Sequence, residues 1–124
     1  MQQRPDSLPS VTRCVEINCG KMYVVVTFSR DIKPIEVFAY LGKSGKCTAA
    51  QIDALSISIS LGLRSGVDVN TYIKHLKPIK CQETSFTTDG HPYTSCGNVI
   101  ARVLETVQSD QEILRYVKNY WSEQ

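Results

Sequence analysis

The residues best suited to chemistry fall in two clusters. In the first, Gly42, Lys43, Ser44, Gly45, Lys46 and Thr48 stand close together just ahead of a helical stretch. Unpaired backbone N–H groups and the positive end of the helix dipole make such a place hospitable to phosphate, and two ammonium groups and two hydroxyls add to it. The order Gly42-Lys43-Ser44 is superficially that of a P-loop, but the position where that motif needs an earlier glycine holds Val37. A Walker-type cradle is therefore excluded. The second cluster is the polar run that holds Phe86, Asp89, His91, Tyr93, Thr94 and Ser95 and ends at Cys96. Phe86 or Tyr93 offers a ring for a base to stack on. Cys96 falls in the first turn of a predicted helix, where a thiolate is favoured. A nucleophilic role would also need a base and orienting groups, for which Asp89 and His91 are the candidates. A structural cysteine beside a helix cap is the simpler reading.

Metal chemistry finds little support. The five cysteines, Cys14, Cys19, Cys47, Cys81 and Cys96, include no Cys-x-x-Cys pair and show no recognised ligand spacing. They are expected to be reduced and mostly buried, since free cysteine packs as a small hydrophobe. No metal and no cofactor is expected. An odd cysteine count and an N-terminus without an apolar signal core point to the cytoplasm. With a net charge of +2 the chain is nearly balanced, which argues against coating DNA, RNA or an anionic membrane in bulk. Its longest apolar stretch, residues 49–63, is broken by Ser56, Ser58 and Ser60 and is too short and polar to span a bilayer.

These clusters need a scaffold, and 124 residues with 42% apolar side chains suffice for one globular domain. Residues 1–10, with Pro5 and Pro9, read as a flexible tail, and 11–124 as the domain. Imperfect alternation from Val11 predicts a strand, and Gly20 marks the turn after it. Residues 22–29 are rich in β-branched and aromatic types and form the clearest strand, followed by a third over 35–41. Short connections make this an antiparallel meander. Thr48 to Gln51 reads as a capping box for a buried helix that stops at Gly66. Within it, residues 55–61 also alternate as a strand would, but the cap and the alanines decide for helix. Asp68 caps a shorter helix ended by Pro78, and a long polar loop covers 80–93. Thr94 or Ser95 caps a third helix, and Ser109 to Glu112 reads as a capping box for a fourth ending near Trp121. The expected fold is α+β: a three-stranded antiparallel meander packed against about four helices. The last helix presents Ile113, Leu114, Tyr116, Val117, Tyr120 and Trp121, an apolar surface expected to pack on the sheet or, in part, to join subunits of a homo-oligomer instead.

The pieces Gly20-Lys21-Met22-Tyr23-Val24, Glu36-Val37-Phe38, Leu41-Gly42-Lys43-Ser44-Gly45, Leu63-Arg64-Ser65-Gly66-Val67-Asp68, Leu76-Lys77-Pro78-Ile79-Lys80-Cys81 and Thr94-Ser95-Cys96 follow one another along the chain. Taken in this order, they resemble the TSCPD domain, a module found C-terminally in adenosylcobalamin-dependent ribonucleotide reductases. The resemblance covers about residues 4–107. The Pro and Asp of the family signature are replaced by Gly97 and Asn98, and the last helix lies outside the similarity.

The resemblance implies an accessory module in a nucleotide-handling setting, because a chain this short holds no radical-bearing barrel. The leading expectation is a non-catalytic domain that binds a small phosphorylated ligand, a nucleotide. Lys43 and Lys46 would neutralise phosphate, Ser44 and Thr48 would donate hydrogen bonds, and Phe86, Asp89, Tyr93, Thr94, Ser95 and Cys96 would complete the site. Capture without conversion would suit a sequestering protein, such as a viral sponge for the nucleotide signals of a host. Two other classes stay open: an interaction domain that docks on and modulates a ribonucleotide reductase, and a thiol or zinc enzyme.

Overall fold

The computed structural model describes residues 4–17, 20–42, 46–81, 85–86 and 92–124. Strands β1 (Ser10–Ile17), β2 (Gly20–Phe28) and β3 (Pro34–Leu41) form one antiparallel sheet in the order β1-β2-β3. The run of valines and aromatics in β2 suits a pleated surface, and it places β2 at the centre. Gly20 adopts φ +126°, and a Cβ there would stand 2.6 Å from the carbonyl oxygen of Gly42. Only glycine fits this meeting of the β1–β2 turn with the end of β3.

Alternation then sorts the side chains. Val15, Met22, Val24, Val26, Phe28, Val37, Ala39 and Leu41 face inward and are buried. Helix α3 (Cys96–Ser109) lies over this face with Val99, Ile100, Val103, Leu104 and Val107 buried beneath it. Helix α2 (Val69–Leu76) packs on α3, and α4 (Gln111–Ser122) closes the layer with Val117. The α+β meander with four helices is the architecture that the periodicity predicts.

Helix α1 (Lys46–Arg64) runs back along β3. As the outer strand of the sheet, β3 would leave alternate N–H and C=O groups unpaired, and α1 covers that edge. Val37 N–H donates to Ser60 Oγ at 2.9 Å, Ser60 Oγ donates to the Val37 carbonyl at 3.0 Å, and Ala39 N–H donates to Ser56 Oγ at 3.1 Å. Two of the serines that made residues 55–61 look like a strand, Ser56 and Ser60, are thus one helical turn apart and face a strand edge, while Ser58 is exposed. Among the described residues no helix is long and apolar enough to cross a membrane.

Several local expectations shift. Helix α1 starts at Lys46, so Thr48 lies inside its first turn and does not cap it. At the other end Gly66 takes φ +102°, with Val67 N–H on Gly62 O at 2.9 Å and Gly66 N–H on Leu63 O at 3.2 Å, the paired bonds of a glycine stop. Asp68 caps α2 as expected, accepting from Asn70 N–H at 2.8 Å. The α4 cap is Asp110, which accepts from Glu112 N–H at 3.0 Å and Ile113 N–H at 3.3 Å, while Ser109 is the last residue of α3. A carboxylate binds two N–H groups more strongly than a hydroxyl does, so Asp110 wins over its neighbour. The polar loop contains two short paired strands, β4 (Ser85–Phe86) and β5 (Pro92–Tyr93). Ahead of the sheet, Phe28 N–H donates to the Pro9 carbonyl at 3.0 Å, and Arg4 Nε meets Glu36 Oε2 at 2.8 Å.

Candidate functional site

Helix directions follow from their contacts. Ser56 of α1 bonds to Ala39 and Ser60 to Val37, so α1 runs antiparallel to β3 and begins beside Leu41. Gln108, near the C-terminus of α3, lines a cleft with Ser29 and Ile35 at the opposite end of the sheet. Helices α1 and α3 therefore run in the same direction, and both begin at the sheet end where Gly42 N–H donates to the Lys21 carbonyl at 3.0 Å.

The start of α3 is a dense hydrogen-bonded knot. Ser95 caps it in extended conformation, its Oγ accepting from Asn98 N–H at 2.9 Å. Asn98 is 2% exposed and works in both senses. Its Nδ2 donates to the Lys77 carbonyl at 2.7 Å, and its Oδ1 accepts from Thr94 N–H at 3.3 Å and Arg102 Nε at 3.2 Å. Thr94 Oγ1 donates to the Ile79 carbonyl at 2.8 Å, and Cys81 N–H donates to the Thr94 carbonyl at 2.6 Å. The end of α2, the strand before α3 and the first turn of α3 are thereby locked together. An ionised aspartate at position 98 could accept but could not donate to Lys77. The amide at the point of departure from the family signature is what this arrangement uses.

Beside the knot, the Arg102 guanidinium lies 5.6 Å from the centre of the Tyr93 ring. Arg102 follows Asn98 by one helical turn, a spacing that could have flagged it in the sequence. Tyr93, Thr94, Ser95 and Cys96, consecutive in the chain, are all half-buried, and Thr48 is exposed in the first turn of α1 at the same end of the sheet. Ser95 Oγ accepts within the knot and keeps its own proton for a donor bond, whereas Thr94 has spent its proton on Ile79. Lys43, Ser44 and Asp89 lie outside the described residues, as do the side chains of Lys46 and Phe86. Among the described residues no three His, Cys, Asp or Glu side chains gather as a metal-binding group.

A cleft of about 440 Å³ lies at the far end of the sheet, between the β2–β3 turn, the α1–α2 junction, Gln108 and Leu114. Its polar lining includes Ser29, Asp31, Lys33, Asp68 and Asn70. On its rim Ile32 adopts φ 61°, which is rare for a β-branched residue and costs about 1–3 kcal/mol. Hydrogen bonds from Ile32 N–H to Ser29 O at 2.9 Å and from Ser29 N–H to Lys33 O at 2.8 Å hold the turn. No local motif marks this cleft, because its lining comes from segments far apart in the chain.

The TSCPD domain model matches residues 2–108. Curated relatives include the vitamin B12-dependent ribonucleotide reductases of Streptantibioticus cattleyicolor and Streptomyces clavuligerus, each 28% identical over 85 residues. That match covers 68% of this chain but only 14% and 9% of the two enzymes, so the chain spans a small part of the relatives it resembles. No solved structure matches the chain.

Proposed function

The chain belongs to the TSCPD domain family, and from that premise we propose that it is a non-catalytic binding module that holds a small phosphorylated ligand, a nucleotide. One observation carries this reading: α1 and α3 begin at the same end of the sheet. Two helix dipoles then direct their positive ends towards that end of the sheet, each equivalent to about half a unit charge. The sequence adds Lys43 and Lys46 at the start of α1, where they would meet phosphate oxygens. Ser95, with its remaining proton, would donate to the same ligand, and Tyr93, already faced by Arg102, would stack on a base. Non-conversion rests on the extent of the match, which covers only 14% and 9% of the two reductases. Capture without conversion makes it a sequestering protein.

Thermal unfolding with a panel of mono-, di- and triphosphate nucleotides tests the reading. A bound nucleotide at a hundredfold excess over its Kd adds about 2.7 kcal/mol of stability. That gain should vanish in the double variant Lys43→Ala, Lys46→Ala while the unliganded melting temperature stays put. No shift with any nucleotide, together with co-purification of a reductase, would replace the ligand reading with a docking role.

A further inference from the structure

Among the described residues no helix lies over the outer face of the sheet. Two cross-strand rows occupy its middle: Thr12, Val25 and Phe38 in one, Cys14, Tyr23 and Tyr40 in the other. Tyr23, Phe38 and Tyr40 keep 41%, 37% and 56% of their surface exposed. At 100° per residue, Ile57 of α1 follows Ser56 and Ser60 around the helix, away from buried Ile52 and Ile59. It is 56% exposed and extends the apolar patch past the β3 edge. Charges on the face are already compensated. Glu16 stands opposite Lys21 at one end, and Arg4 pairs with Glu36 at 2.8 Å at the other.

We propose that this face binds a second copy of the same chain, sheet against sheet, to form a two-fold dimer. Three features select that occupant. The patch carries no net charge, so two copies do not repel. Both sheets have the same twist, and equally twisted sheets stack about 10 Å apart with strands roughly 30° from parallel. The area also suffices. At about 200 Å² per aromatic side chain, the three aromatics leave roughly 270 Å² exposed. The remaining row residues and Ile57 bring this to roughly 500 Å² per copy, or about 1,000 Å² in the pair, the lower bound for a specific interface. This places self-association on the sheet, not on the last helix, and it does not depend on the ligand reading.

Cys14 supplies the readout, since it is exposed on the patch at the β1 end of its row, whereas Cys47 and Cys81 are exposed elsewhere. Sedimentation of the full chain should show the mass rising from 13.9 kDa towards twice that value between low-micromolar and near-millimolar protein. Alkylation of Cys14 by iodoacetamide, followed by mass spectrometry, should slow in proportion to the fraction of monomer. Cys47 and Cys81 should react at a constant rate. In Tyr40→Glu the mass should stay monomeric and Cys14 reactivity should no longer depend on concentration. The idea is overturned by a wild-type chain that is monomeric throughout, by a dimer in which Cys14 reacts as fast as in the monomer, or by a Tyr40→Glu protein that dimerises normally. Should Tyr40→Glu fail to fold, Cys14 protection in the wild type decides alone.

Discussion

On the inner side of the sheet Val24, Val26, Phe28 and Val37 are fully buried, whereas Tyr23, Phe38 and Tyr40 of β2 and β3 stand 37–56% exposed on the outer side. Both faces carry apolar side chains, yet the core lies on only one. A single layer of helices closes the inner face, and α1 spends a serine pair sealing the edge between the two sides. At one end of the outer face Thr27 and Glu36 are only 4% and 3% exposed, and Arg4 of the N-terminal segment pairs with Glu36 there. Its middle stays open. Apolar surface that adds nothing to the stability of one chain is surface available to a partner.

Three substitutions break or sharpen this contrast. The largest effect is expected inside: Phe28→Ala empties a fully buried site and should cost about 3–5 kcal/mol in denaturant unfolding. Ser60→Ala at the edge should cost about 1–3 kcal/mol, because it strands both the N–H and the C=O of Val37 away from water. A null result there would mean that α1 is not needed as an edge cover. Phe38→Ala on the outer face should change the stability of dilute protein by no more than about 0.5 kcal/mol. If it costs as much as Phe28→Ala, the outer face belongs to the core of the monomer and the contrast fails.

Much of the scaffold was legible because its signals are local. The valine run of β2, the glycine stop at Gly66 and the Asp68 cap each express the conformational preference of a few neighbouring residues. The start of α4 has two chemically able candidates. Ser109 and Asp110 stand side by side, and the choice depended on the stronger bonds of a carboxylate. At the candidate site, Ser95 and Cys96 were identifiable from helix-start chemistry, but the binding of Asn98 to Lys77 was not, since it spans 21 residues of chain. The strained turn at Ile32 carried no sequence signal, because nothing about isoleucine announces a positive φ.

By itself, then, the amino-acid order determined the three main strands, the four helices and the family to which the chain is similar. These follow from periodicity and nearest neighbours, and need no knowledge of what lies across the fold. Only the tertiary structure decided that α1 and α3 start at a common end of the sheet, that Ser56 and Ser60 serve the edge of β3, and that one sheet face is left uncovered. Each is a relation between elements distant in sequence, set by how whole surfaces pack, and packing is a property of the assembled chain.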